Sequence, residues 1–224
     1  MFDAIVFDHD GLLLDTEAAW TRAEATLFER RGRVFTPEHK RVLLGTSRSV
    51  AAGMLEEMLG RAGTGEELMH ELHELVMIEA LRGAPPRPGA LELVAALRAA
   101  GTPLAVASNS TREFVERALG GAGLLDGHFK AVVTADDVVR PKPAPDLYLA
   151  SCAALGAAPE RSAALEDSGP GVQSARAAGM FVIGVPYLAD TPLEGASLTA
   201  SSLADPEVAE ALGIALQPPL DAGA

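Results

Sequence analysis

The sequence predicts an α/β fold: a Rossmann-like parallel sheet with helices on both faces, carrying an inserted all-helical unit after its first strand. Three observations lead there. Five short apolar runs, Ala4–Phe7, Pro103–Ala107, Ala131–Thr134, Ala163–Leu165 and Phe181–Val185, have strand character, and most are separated by stretches with helical spacing. Such alternation builds a parallel sheet buried on both faces, because each crossover lays a helix against it. Polar clusters follow the runs, DHD after the first, SNS after the second, ADD after the third and EDS after the fourth. In contrast, residues 16–84 contain no strand-like run.

Taken in order, Ala4–Phe7 leads directly into DHDGLLLDTE, residues 8–17. Helices are then expected in WTRAEATLFERR, TPEHKRVLLG, RSVAAGMLEEMLG and TGEELMHELHELVMIEALRG. Thr36 before Pro37 is a helix-start signal, and Thr64 with Glu67 fits a capping box. Leu68, Leu72, Leu75 and Val76 form one apolar stripe on the fourth helix. The proline-rich GAPPRPGA closes the block before a further helix at Ala90–Ala100. The expected division is therefore a core domain of residues 1–15 and 85–224 and a helical cap of residues 16–84. The terminal QPPLDAGA is expected to fray.

With 224 residues and 48% apolar content the chain can bury a sizeable core. Its formal net charge of −13 argues against nucleic acid and anionic membrane surfaces as partners, since both demand basic patches. An acidic protein can still take a phosphorylated small molecule through a local cation. The single cysteine, Cys152, excludes an internal disulfide and multi-cysteine metal sites, and its helical apolar context suits a core position. The N-terminus lacks the layout of a signal peptide, and no apolar run reaches the roughly 18 residues of a membrane span. A cytoplasmic monomer or weak homo-oligomer is expected.

The chemistry gathers at the strand ends. Asp8 and Asp10 close what reads as a buried strand, where like charges repel unless a cation offsets them. A calcium loop of the EF-hand type fails, because its third ligand and its glycine would fall on Leu12 and Leu13. Paired carboxylates instead suit Mg²⁺, a hard ion that binds one or two of them and keeps water and phosphate oxygens as its other ligands. Glu166 and Asp167 end the fourth run and reach the same sheet edge; Asp167 is the better ligand candidate, although it or Ser168 also suits a helix cap. Ser108 and Asn109 follow the second run, where a hydroxyl and backbone N–H groups at a helix start make a phosphate cradle. Ser110 with Glu113 resembles a capping box, leaving Ser108 to face a ligand. Fifteen arginines stand against three lysines (Lys40, Lys130 and Lys142), and Lys142 is held between two prolines in RPKPAPD, a stiff setting for a compact positive charge.

These four stretches, in this order, resemble the four motifs of the haloacid dehalogenase superfamily of phosphotransferases with a helical cap. DHDGLLLDTE resembles the first, ASNS the second, RPKPAPD the third and EDSGPGVQSARAAGM the fourth, so the likeness spans about residues 3–186. The resemblance implies that Asp8 is the nucleophile that becomes an aspartyl-phosphate, and that Asp10 is the general acid and then the base. It implies Mg²⁺ held by the Asp8 side chain, the Asp10 backbone carbonyl and Asp167, with Glu166 assisting. Ser108, Lys142 and the Asn109 backbone N–H would hold the transferring phosphoryl. His9 departs from the usual apolar residue and reads as structural. Asp10 itself favours phosphate chemistry over dehalogenation.

LLGTSRS resembles the cap loop of the β-phosphoglucomutase group, which would bring Arg48 over the substrate, where it could clamp a phosphate or hydroxyls; a solvated helix-start arginine is the plainer alternative. The mutase pattern of a cap histidine and a later cap lysine is missing: the first position holds Trp20, and residues 41–84 contain no lysine. Trp20 could stack on a sugar or fill the cap's core. The resemblance therefore favours a hydrolase of a small phosphate ester, a sugar phosphate, with a phosphomutase or a non-catalytic binding module as alternatives.

Overall fold

The computed structural model describes residues 2–80 and 83–214; the QPPLDAGA tail and the end of the fourth predicted helix lie outside the described residues. Strands β1 (Ala4–Phe7), β2 (Leu104–Ala107), β3 (Ala131–Val133), β4 (Ser162–Glu166), β5 (Phe181–Gly184) and β6 (Leu198–Thr199) form one sheet. Its order is β3-β2-β1-β4-β5-β6 and every pairing is parallel. The five expected strands are present, each within a residue of its expected bounds. The sixth was not expected: two residues long and flanked by small residues, it carries too short an apolar signal to register.

Side chains alternate across the sheet. Ile5, Phe7, Leu104, Val106, Ala163, Leu165 and Ile183 face a cluster built with helices α5 (Ala90–Ala99), α6 (Arg112–Gly121) and α9 (Pro206–Leu212). Val6, Ala105, Ala107, Ala164 and Val182 face the other side, against α7 (Asp146–Leu155) and α8 (Gly169–Ala177). This two-residue period with helices on both faces is what a doubly wound sheet requires. Cys152 lies on α7 in the second cluster, a core residue as expected.

Between β1 and α5 stand helices α1 (Glu17–Glu29), α2 (Pro37–Leu43), α3 (Arg48–Leu59) and α4 (Gly65–Ala80), with no strand among the described residues of this stretch. They share a hydrophobic cluster of their own in which Leu27, Phe28, Leu55 and the Leu68, Leu72, Leu75, Val76 stripe are buried. Thr36 caps α2 by accepting from the His39 N–H, and His39 Nδ1 accepts the Thr36 N–H in return. At the start of α4 the Thr64 hydroxyl donates to the Arg61 carbonyl, and the Glu56 carboxylate accepts the Gly65 N–H. Phe114 of α6 joins the insert's cluster, so the helical block is seated on the sheet domain.

Two chain crossings connect the insert, and their backbones are paired: Asp15 N–H donates to the Pro85 carbonyl at 2.8 Å and Arg87 N–H to the Leu13 carbonyl at 2.9 Å. Among the described residues no helix is long and apolar enough to cross a membrane.

Candidate active site

In a sheet of this order the direction of winding reverses between β1 and β4, and the crevice beyond the carboxyl ends of those strands is where ligands bind. Asp8 follows β1 and Asp167 follows β4, so register alone places both carboxylates there. Ser108, Asn109 and Ser110 follow β2, and Lys142 enters from the segment before α7. The structure thus brings together all the core residues singled out in the sequence.

Lys142 is the electrostatic centre. It is fully buried, and its Nζ donates to Asp8 Oδ1 at 2.5 Å, to Glu166 Oε1 at 2.6 Å and to the Ala107 carbonyl at 2.8 Å. An ammonium has three protons, and all three are placed. Burial alone would discharge Lys142, but Asp8 and Glu166 outweigh it and raise its pKa above the ordinary value. Glu166 is equally committed: its Oε1 also accepts the Tyr148 hydroxyl at 2.5 Å, and its Oε2 accepts the Asp167 N–H at 3.2 Å and the Ser168 hydroxyl at 3.3 Å. Asn109 clasps the Lys142 backbone from both sides, accepting its N–H at 2.8 Å and donating Nδ2 to its carbonyl at 3.2 Å. This clasp holds the lysine's segment against the loop after β2.

Asp10 is held by side-chain donors. Thr16 donates to Oδ1 at 2.7 Å, Ser108 and Ser110 donate to Oδ2 at 3.0 and 2.8 Å, and His9 Nδ1 stands 3.2 Å from Oδ1. Burial pushes this carboxyl up, but the charge and contact of His9 with the hydroxyl donors prevail and hold it well below the usual carboxylate range. One expectation is corrected here. Ser110 does not cap α6, whose N-cap is Thr111; its hydroxyl is turned to Asp10 instead. Ser108, at the end of β2, donates to the same Asp10 oxygen. His9 is buried edge-on against Phe114 at 6.0 Å, so it is structural and also touches Asp10.

One oxygen each of Asp8, Glu166 and Asp167 lies within 4.8 Å of the others. Asp8 Oδ2 and Asp167 Oδ2 are buried without a hydrogen-bond partner. Adjacent bare carboxylate oxygens are costly to bury unless a cation sits between them. Burial first, then the neighbouring carboxylates, pushes the pKa of Asp167 well up; burial does the same to Asp8 against the pull of Lys142. An all-oxygen donor set of this kind fits a hard divalent cation. Glu166, already supplied with four donors, supports Lys142 more than it waits for a ligand. Ser168 does cap α8, accepting the Gly171 N–H at 3.3 Å.

Above these groups a cavity of about 380 Å³ opens between sheet edge and insert, a size suited to a small metabolite. Trp20 forms part of its wall and packs edge-on against Phe114 at 5.6 Å. Arg48, at the start of α3, also lines it and reaches Glu66 at 3.1 Å, with both side chains substantially exposed. Lys40, which nothing in its sequence context marks out, faces the cavity together with Glu17 and Glu24. Tyr148 and Thr16 were equally unmarked, because a tyrosine on a helix and a threonine before one carry no local sign of the carboxylates they meet.

A doubly wound α/β sheet with buried carboxylates and a lysine at its reversal point, beside a helical insert, defines a scaffold built around a charged small-molecule pocket. Residues 2–179 match the model of the family described as haloacid dehalogenase-like hydrolase. The chain belongs to that family, and it is an enzyme whose curated relatives include phosphatases. It is 35% identical over 191 residues to the putative phosphatase YhcW of Bacillus subtilis, covering 83% of this chain and 84% of that one. Over 190 residues it is 33% identical to validoxylamine A 7'-phosphate phosphatase of Streptomyces hygroscopicus subsp. limoneus, covering 83% and 86%. Among solved structures, CbbY from Rhodobacter sphaeroides in complex with phosphate superposes with a TM-score of 0.80 at 29% identity, covering 92% of this chain and 96% of that one.

Proposed function

We propose that the protein is a Mg²⁺-dependent phosphoric-monoester hydrolase of the cytoplasm, acting on a small phosphorylated metabolite of the sugar-phosphate class. The observation that carries this reading is Asp8: one oxygen bonded to Lys142 and the other bare beside Asp167. A buried carboxylate paired with an ammonium on one side and open on the other is poised as a nucleophile. Phosphatase relatives that act on phosphorylated carbohydrates and hexitols support the substrate class.

Asp8 attacks phosphorus, forming the Asp8–phosphoryl bond as the ester P–O bond breaks. Asp10, ionised in the free site, takes up a proton as the ester's charge arrives beside it, gives that proton to the departing oxygen, and then takes one from the water that attacks the aspartyl-phosphate, releasing phosphate and restoring Asp8. Ser108 and the Asn109 backbone N–H meet the phosphoryl oxygens, while Lys142 neutralises the charge that Asp8 and the phosphoryl share. Asp8, Asp167 and the Asp10 carbonyl would hold the metal, with Glu166 behind them, and the ion supplies charge neutralisation at the transferring group. Residues 16–84 act as a lid on the core formed by 1–15 and 85–224, and closure brings Trp20 and Arg48 over the leaving group.

The test is phosphate release from a panel of small esters with Mg²⁺ and with chelator. Release that requires the metal and vanishes in Asp8→Asn is the expected result. Conversion of β-glucose 1-phosphate to the 6-phosphate with little free phosphate would instead identify a phosphomutase, and binding of esters without turnover a non-catalytic module.

A further inference from the structure

Three charged side chains of the insert are buried on the cavity wall: Glu24 on α1 and Lys40 on α2, with Glu17, at the start of α1, standing between them and Asp167 of the sheet edge. Their side chains are only 8%, 5% and 11% exposed. Lys40 Nζ bridges the two carboxylates, contacting Glu17 and standing 3.2 Å from Glu24. Buried ion groups of this kind add little to stability over apolar residues of the same volume. The neighbouring inward positions of the same helices, Ala23, Leu27 and Leu43, show that apolar residues are accommodated there. A desolvated charged trio on the wall of a ligand cavity therefore has its role toward the ligand.

The sign of that role follows from which groups are already committed. Lys40 spends its charge on two carboxylates, so the trio carries a net negative charge and presents carboxylate oxygens, which are acceptors. Arg48, the other arginine or lysine of the insert on this cavity, sits at its exposed mouth and is engaged by Glu66. A leaving group with hydroxyls supplies the donors that Glu17 and Glu24 lack; one with a second phosphate or a carboxylate brings more negative charge against them.

We propose that Glu17, Glu24 and Lys40 are the specificity wall of this site, selecting an uncharged, hydroxyl-rich leaving group, a polyol or sugar, over one bearing a second anionic group. The proposal rests on the phosphatase reading above. Buried acceptors left unpaired are what make such a site reject an analogue lacking hydroxyls.

The experiment compares kcat/KM for sorbitol 6-phosphate, fructose 1,6-bisphosphate, phosphoglycolate and p-nitrophenyl phosphate, using the full chain with Mg²⁺. Sorbitol 6-phosphate is expected to exceed the bisphosphate and phosphoglycolate by about ten-fold or more. In Glu24→Gln, and separately in Glu17→Gln, the ratio of sorbitol 6-phosphate to p-nitrophenyl phosphate is expected to fall about ten-fold, chiefly through KM. A bisphosphate turned over as well as the polyol ester would assign Lys40 and Arg48 to a second phosphate and overturn the proposal. An unchanged ratio in both glutamine variants would overturn it as well. Hydrolysis of p-nitrophenyl phosphate without any polyol preference removes this inference alone, whereas absence of hydrolysis of all four esters removes the phosphatase reading with it.

Discussion

Tyr187 donates its hydroxyl to Asp15 at 3.0 Å, and the same ring lies beneath the Arg87 guanidinium, 4.9 Å from its centre. Asp15 and Arg87 belong to the two crossings between sheet domain and insert, and Tyr187 comes from the loop after β5. One residue thus pins both crossings to the core. Tyr187→Phe keeps the ring and removes the donor, so the loss is that of one hydrogen bond to a charged acceptor, about 1.5–3 kcal/mol at most and less for its partial exposure. The expected outcome is a melting temperature lower by a few degrees, with faster proteolytic cleavage in residues 83–88. Unchanged cleavage would mean that the crossings are held without Tyr187.

The same contact predicts a dependence on alkaline pH. Burial, then the Asp15 charge and the bond to it, pushes the Tyr187 hydroxyl up to about 12, whereas an unfolded tyrosine titrates near pH ~10. Below pH ~10 both states hold the proton and the contribution is complete. As the pH rises toward 12 the unfolded chain loses its proton first, and stability declines. Urea midpoints measured from pH 9 to 11.5 should therefore fall more steeply for the native chain than for Tyr187→Phe. Parallel curves would refute the assignment.

Lys142 neutralises two buried carboxylates at once, and its removal strands both. Lys142→Met is expected to cost about 3–5 kcal/mol, as for breaking a buried ion pair from one side, and to abolish turnover. Asp8→Asn is expected to do the second without the first, because it removes one of three crowded carboxylates and leaves Lys142 paired with Glu166. Thermal melts in chelator separate the two: a large drop for Lys142→Met and little or none for Asp8→Asn. Equal drops would show that Asp8, rather than Lys142, organises the cluster.

How much of this was legible beforehand follows from where each signal resides. Buried parallel strands are apolar along their whole length, so β1, β2, β4 and β5 could be read directly, and their carboxyl ends located Asp8, Asp10, Ser108 and Asp167. The insert's helices were legible from their 3.6-residue stripes. Contacts made only by tertiary packing were not. Ser110 reads as a cap because its neighbours suit one, yet Asp10, a hundred positions away in sequence, takes its hydroxyl. Nothing local marks Tyr148, whose hydroxyl finds its partner only when the fold places Glu166 beside it. Lys40 meets Glu17 and Glu24 only because α2 folds back on α1, a geometry that no local pattern encodes.

Gly45 marks where the insert touches the fourth motif. Its φ of +70° is the left-handed region that favours glycine. A Cβ there would stand 2.7 Å from both Cβ and Oγ of Ser168, the residue that caps α8. Asn109 Nδ2 also reaches the Gly45 carbonyl, at 3.4 Å. The loop therefore rests on two motifs of the sheet edge at once, and a methyl group would lift it from both. Gly45→Ala is expected to raise KM about ten-fold, as the insert can no longer seat over a bound ester, in addition to a backbone cost of about 1 kcal/mol. Gly60→Ala supplies the comparison: with φ +65° it carries the same backbone cost, but the nearest atom to its Cβ is Arg33 Nη2 at 3.9 Å, well away from the site. The two variants should therefore melt alike to within the extra cost of the Ser168 clash and differ in KM. An equal KM for both would show that contact between Gly45 and Ser168 has no part in closing the site.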